Sequence, residues 1–513
     1  MSDAARPVVL EMRGITKRFG GVPANDGIDL ELRRGEILAL LGENGAGKTT
    51  LMNILFGHYM ADAGSVRVAD ASGALVALPP GRPRAALAAG IGMVHQHFTL
   101  ADALTGLDNV VLGTEPLWRP RSGRAAARRR LDRLMAESGL RVDLDVPVGR
   151  LGVGERQRVE ILKALYRDVR VLILDEPTAV LTPAESDGLF ATLRALARGG
   201  LAVAFISHKL GEVVAGSDRV AVLRGGRKVA ERPTAGADRA GLAALMVGRE
   251  VAASRRTPGT PGAEVLALSG IGVAGEGVRQ SLDGVSLTVR AGEIVGVAGV
   301  AGNGQAALAR LLCGLVKPAA GTMRLHGRPV TRFDPGAFVR AGIGRIPEDR
   351  HHEGAVAGMT LSESVAIEGV RTRFQRAGLL RLRAMTERAK AAIRDYDIRG
   401  AAPGTPIRLL SGGNMQKAIL ARVLDEAPGL ILAAQPTRGL DVGAVAEIHR
   451  RLLAARARGA AIVLISEDLD EVFALSDRIA VMARARLSEA MPADGLDRAR
   501  VGLMMAGQGA EAA

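Results

Sequence analysis

The chain has 513 residues, room for about two to four domains, and its mix of 48% hydrophobic and 24% charged residues excludes a mainly disordered protein. A single cysteine, Cys313, excludes disulfide frameworks and multi-cysteine zinc sites, and fits a small core residue in a reducing compartment. Aromatics make up only 3%, too few for broad base-stacking surfaces; the net charge of +14 is carried almost entirely by dispersed arginines, the pattern of solvated faces rather than of a nucleic-acid site.

The opening MSDAARPVVLEMRG lacks the apolar core of a signal peptide, and no apolar run reaches about 18 residues. The expectation is a soluble, cytoplasmic chain without its own membrane span. Next, EILALL predicts a buried strand and TLMNILFG a helix, with GENGAGKT between them. Gly42, Glu43, Asn44, Gly45, Ala46, Gly47, Lys48 and Thr49 thus match G-x-x-x-x-G-K-[ST], and Thr50 follows inside the helix. In such a loop the glycines let backbone N–H groups curl around phosphate oxygens, the lysine reaches the β and γ phosphates, and the hydroxyl ligates Mg²⁺.

The segment from about residue 97 to 150 holds prolines, an arginine cluster and the amphipathic stretch ARRRLDRLMAESGL, which predict an inserted helical subdomain with solvated arginines. VRVLILD and LAVAFIS are apolar throughout, as strands covered on both faces of a parallel sheet are. The first of them leads into Asp175 and Glu176, at the strand end where such sheets present groups to a ligand. Asp175 is expected to hold Mg²⁺ through its water shell and Glu176 to orient or deprotonate an attacking water.

Periodicity breaks in REVAASRRTPGTPGAEV, which begins at Arg249. The linker is placed at residues 250–263, between a first domain over 1–249 and a second over 264–513. The second repeats the first: RAGEIVGVAGVAGNGQAAL from Arg290 matches RRGEILALLGENGAGKTTL from Arg33, and SDRIAVMARAR from Ser476 matches SDRVAVLRGGR from Ser217. Each half reads as an α/β nucleotide-binding domain with a mostly parallel sheet.

With these motifs in this order, the chain resembles the ATP-binding cassette ATPases over nearly all of both halves. The resemblance implies two tandem P-loop NTPase domains, ATP and Mg²⁺ as cofactors, and further site residues. Phe19 in ITKRFGG falls at the adenine platform, Gln96 in MVHQHF at the glutamine that helps hold the metal and water, and His208 in FISHKL at the switch histidine. The signature loop falls on LGVGERQ from Leu151 in the first half and on LSGGNMQ from Leu410 in the second, which offers Ser411, Gly412, Gly413 and Gln416 to nucleotide.

At matching positions the second half has lost what hydrolysis needs. Gln305 stands for Lys48, Ala306 for Thr49, Ala434 and Gln435 for Asp175 and Glu176, Glu348 for Gln96, Glu467 for His208, and Gly275 for Phe19. The first half shows the complement, with Gly152 where the signature usually has serine and Thr182 at its D-loop position, whereas the second keeps TRGLD ending at Asp441. Because cassettes pair head to tail, the resemblance implies one working site, formed by the first half's phosphate motifs and the second half's signature.

The motif AAQPTRGLDVGA from Ala433 makes the chain similar to ATP-binding subunits of bacterial importers for simple sugars and nucleosides, and MVHQHFTL with VGERQRVEILKALYR leans toward nucleosides. That implies a peripheral place on the cytoplasmic face of the cell membrane, beneath two integral-membrane permease subunits docked near Gln96 and Glu348. An extracytoplasmic solute-binding protein would serve the complex indirectly, and the chain would work as a single fused pair or beside a second copy. The rival from another class is a soluble cassette ATPase acting on ribosomes or nucleic acid, disfavoured by the short linker and the dismantled second site; no nucleic-acid partner is expected.

Overall fold

The computed structural model describes residues 6–505 other than 97, 115–122, 179–180, 182, 208, 249–255, 258 and 276, together with Gly507. The expectations for His208 and Thr182, and much of the placed linker, lie outside the described residues. The chain divides into two compact units, Met1–Val251 and Ala252–Ala513.

In the first unit a six-stranded sheet runs in the order Arg227–Pro233, Arg219–Arg224, Ile37–Gly42, Ala202–Ile206, Val171–Asp175, Ile91–Val94. Five of these strands are parallel, and the Arg227–Pro233 edge is antiparallel. Ile37–Gly42, Val171–Asp175 and Ala202–Ile206 are buried along their whole length, as unbroken apolar runs between two layers must be. A second, four-stranded antiparallel sheet is built by Val8–Phe19, Val22–Arg33, Ala63–Ala69 and Leu75–Ala77. The sequence pattern did not separate this sheet, because register shifts between Met12 and Ile15 and again toward Lys17 interrupt the alternation that marks a one-faced strand. Helices Gly106–Val111, Arg124–Ser138 and Val153–Leu165 form the inserted subdomain.

The second unit repeats the plan. Ile343–Ile346, Leu430–Ala434, Ala461–Ser466, Ile294–Ala298 and Arg478–Ala483 line up in that order, in parallel, with Arg486–Leu487 and Met491–Pro492 antiparallel on Arg478–Ala483. Leu282–Arg290, Glu264–Val273, Ala320–Leu325 and Arg328–Pro329 make the antiparallel sheet, and Leu361–Ala366, Leu382–Asp395 and Gly412–Leu424 the helical part. Cys313 is buried in this unit's core, and burial pushes its thiol up to about 11.

Both units carry the same buried polar cluster beneath the strand that feeds the phosphate loop. Arg219 Nε donates to Glu36 at 2.6 Å and Arg478 Nε to Glu293 at 2.7 Å. Each glutamate also accepts a backbone N–H three residues upstream, Arg33 and Arg290, at 2.8 Å. Asp218 and Asp477 accept from the first residue of that strand, Ile37 and Ile294, at 3.0 and 2.8 Å. These bonds satisfy charges that would otherwise be buried at high cost. No helix among the described residues is long and apolar enough to cross a membrane.

Candidate functional site

In the first unit the strand Ile37–Gly42 delivers the chain into the loop, and the helix Lys48–Phe56 leaves it. Gly47 caps that helix at φ 96°, where a Cβ would stand 2.1 Å from the carbonyl oxygen of Ala24, so only glycine closes the loop. The Asn25 amide donates to the Gly47 carbonyl at 3.1 Å, a support that motif spacing did not reveal. The first turn of the helix holds no acidic residue, which leaves the positive end of its dipole for phosphate.

Lys48 is buried, and its ammonium donates to the carbonyls of Gly42 at 2.6 Å and Glu43 at 2.9 Å, so the cation is folded into the loop it serves. Ala46 packs into the core, Glu43, Gly47 and Thr50 are half-buried, and Asn44, Gly45 and Thr49 lie at the surface. Asp175, 5% exposed at its strand end, is hydrogen-bonded to the Thr49 side chain. Burial first, and then the neighbouring Glu176 charge, push its carboxyl up to about 6, while Thr49 and Lys48 pull the other way. A crowded acid beside a hydroxyl is the donor set that Mg²⁺ accepts when phosphate and water fill the remaining positions. Among the described residues no three His, Cys, Asp or Glu side chains cluster as a self-sufficient metal cage.

Glu176 sits at φ 48°, a left-handed conformation uncommon for a residue with a Cβ. Its carboxylate accepts from Gln96 Nε2 at 2.9 Å, which brings together two positions 80 residues apart in sequence. Phe19 ends its strand 46% exposed, with Tyr59 edge-on at 5.6 Å between ring centroids and the Lys17 ammonium 5.6 Å from its ring. Tyr59 was not expected from the sequence; its place just past the Gly57 cap of the phosphate-loop helix is the only signal for it.

The second unit keeps the backbone and changes the chemistry. Gln305 donates to the Val300 carbonyl at 2.8 Å and accepts from the Asn303 N–H at 3.0 Å, so its amide knits the loop to itself and brings no cation. Gln435 repeats the left-handed turn at φ 47° and is nearly buried. Glu348, at the Gln96 position, is paired with Arg438. A Cβ at Gly275 would lie 2.2 Å from the Gln280 carbonyl oxygen, so the space of an aromatic platform is filled by backbone.

The second unit's signature is well formed. Ser411 is exposed and caps helix Gly412–Leu424, accepting from Asn414 N at 3.4 Å, and Asp441 caps helix Val442–Ala457, accepting from Ala444 N at 2.8 Å. Gly412 and Gly413 are half-buried beside Ser411. Gln416 corrects the sequence expectation: it is 2% exposed and donates to the Pro436 carbonyl at 2.9 Å. It lies more than a turn into the helix, on the packed face, so it braces the signature from within and is not a surface contact for nucleotide.

Residues 25–179 and 282–438 each match the ABC transporter domain. The chain is 43% identical to the glucose import ATP-binding protein of Haloferax volcanii, over 98% of this chain and 96% of that one. It is 41% identical to the nucleoside import ATP-binding protein of Lactococcus lactis, over 98% and 99%. Among solved structures, RNase-L Inhibitor superposes with a TM-score of 0.63 at 16% identity, covering 94% of this chain and 90% of that one, a likeness of fold alone.

Proposed function

Because this chain belongs to the ABC transporter family, as an ATPase with two fused cassettes, we propose that it hydrolyses ATP at one composite site and thereby drives nucleoside import. The observation that supports this most is the contrast at one backbone position: Glu176 bonded to Gln96 at 2.9 Å in the first unit, Gln435 beside Ala434 in the second. At these matching positions the first unit has Glu176 and Lys48, and the second has Gln435 and Gln305.

In this reading Lys48 and the loop N–H groups bind the β and γ phosphates, Phe19 carries adenine, and Glu176 holds the attacking water, with Gln96 fixing its carboxylate. Thr49, Asp175 through water, and Gln96 would hold Mg²⁺, which would supply charge neutralisation at the transferred phosphate when bound. His208 senses that phosphate, as the family resemblance implies. Ser411, Gly412 and Gly413 of the second unit complete the site, as the head-to-tail pairing of cassettes implies. Import ATP-binding proteins work with membrane permeases; here two such subunits meet the loops near Gln96 and Glu348, on the cytoplasmic face of the membrane, and closure on ATP moves them.

The nucleoside assignment rests on MVHQHFTL and VGERQRVEILKALYR and on the Lactococcus relative; the Haloferax relative favours a sugar instead. The test is ATP-dependent uptake by the complex, reconstituted in vesicles with its permeases and receptor. Competing nucleosides, ribose and glucose are offered together. Selective accumulation of a nucleoside supports the proposal, and accumulation of a sugar alone replaces it.

A further inference from the structure

The second unit's signature helix is tied to the segment after strand Ile343–Ile346 at both of its ends. At the far end, Arg422 Nη1 donates to the Gly354 carbonyl at 2.9 Å and its Nε stands 2.9 Å from Glu368. At the signature end Arg350 packs against the helix start at Gly412 and is hydrogen-bonded to the neighbouring loop. Its Nη1 donates to the Arg438 carbonyl at 2.9 Å, just ahead of Gly439 in the loop that leads to Asp441. A Cβ on Gly412 would stand 3.1 to 3.2 Å from the guanidinium atoms, so glycine there lets the flat group lie against the signature backbone.

The position of Arg350 is itself built. Asp349 Oδ1 accepts from the N–H groups of His351 and His352, both at 2.9 Å, and so fixes the short turn that starts at Arg350. Arg350 Nε is buried without a hydrogen-bond partner, as Arg232 and Arg345 Nε also are, so the guanidinium is placed by its Nη1 bond and by packing against Gly412.

The internal repeat supplies an independent observation. In the first half Phe98 stands for Arg350 and Val153 for Gly412, so both partners of the contact are changed together. The far tie is common to both halves, since Lys163, at the Arg422 position, donates to the Thr99 carbonyl at 3.0 Å. The arginine on glycine is therefore specific to the half whose signature stayed intact.

We propose that Arg350 is a positioning residue for ATP hydrolysis: it holds the Ser411–Gly413 turn in register with the Glu348 segment, so that the signature meets the phosphates bound by the other unit in a fixed geometry. The proposal rests on the composite-site reading above. It adds a route by which movement of the Glu348 segment reaches the ATP face without passing through Gln96.

The test uses the full chain assembled with its permeases and compares Arg350→Ala, Arg350→Met and Ser411→Arg by single-turnover Mg-ATP hydrolysis, Mg-ADP affinity and thermal midpoint. Methionine fills the space of the arginine stem and keeps a folded variant in hand if alanine does not fold. The expected result is a hydrolysis rate lowered about tenfold or more, the scale of a misplaced reacting group, with Mg-ADP affinity unchanged because in the proposed site Phe19 and the phosphate loop of the first unit bind it. A wild-type rate in whichever Arg350 variant folds overturns the proposal, as does a rate loss matched by lost Mg-ADP affinity. If Ser411→Arg also hydrolyses normally, it is the composite site that fails; if Ser411→Arg is inactive while the Arg350 variants are not, the fault is confined to Arg350.

Discussion

Gln96 Nε2 and the Glu176 carboxylate are 2.9 Å apart, so the residue proposed to meet the permeases holds the residue proposed to hold the attacking water. A hydrogen bond to a charged group contributes about 1.5 to 3 kcal/mol, enough to fix one rotamer. Gln96→Ala is expected to lower hydrolysis by about tenfold or more while changing Mg-ATP affinity less. Steady-state rates over a range of ATP concentrations check this; a pure loss of affinity at full turnover would place Gln96 in binding only.

The raised Asp175 carboxyl gives the nucleotide-free first unit a pH signature. Its folded value of about 6 lies above the ordinary 3.8, so between the two the folded state binds more protons than the unfolded one. Stability from this group is therefore greatest at low pH and declines as pH rises through that window. Asp175→Asn is expected to flatten the decline, raise the thermal midpoint near neutral pH, and abolish Mg-ATP hydrolysis. Denaturation across pH without nucleotide is the measurement, and identical pH profiles for the two proteins would count against a strained Asp175.

Phe19, exposed with Tyr59 against its edge, carries the adenine base in this account. Stacking of a base on an aromatic ring contributes about 1 to 3 kcal/mol, so Phe19→Ala is expected to weaken ATP binding by about tenfold, and Phe19→Trp to preserve it. Calorimetric titration reads both; unchanged affinity in Phe19→Ala would remove the platform assignment.

The Glu36–Arg219 pair tests the fold rather than the site. Its carboxylate is almost wholly buried, and removing one partner of such a pair costs about 3 to 5 kcal/mol. Glu36→Ala is expected to shift the first unit's urea transition to lower concentration, and Glu293→Ala the second unit's.

What could be read from sequence was local chemistry at fixed spacing. GENGAGKT places Lys48 and Thr49 in one loop because strand and helix flank it, and Asp175 is legible as the end of an apolar run. The loss of Lys48 and Asp175 at Gln305 and Ala434 could be seen by aligning the halves. Side-chain direction was not legible: Gln416 belongs to the signature by sequence, but its helix turns it onto Pro436. The Arg350–Gly412 contact joins residues 62 positions apart through loop geometry, which no periodicity announces. The antiparallel sheets were hidden for a related reason, since bulges in Val8–Phe19 break the alternation.

In the proposed function one site hydrolyses ATP and Glu176 is its base. The most direct measurement is steady-state ATP hydrolysis by the assembled complex carrying Glu176→Gln or Gln435→Ala. Glu176→Gln is predicted to lose about 10² to 10⁴ in rate, the range for a general base, with Gln435→Ala close to wild type. Intact turnover in Glu176→Gln together with lost turnover in Gln435→Ala would contradict the account.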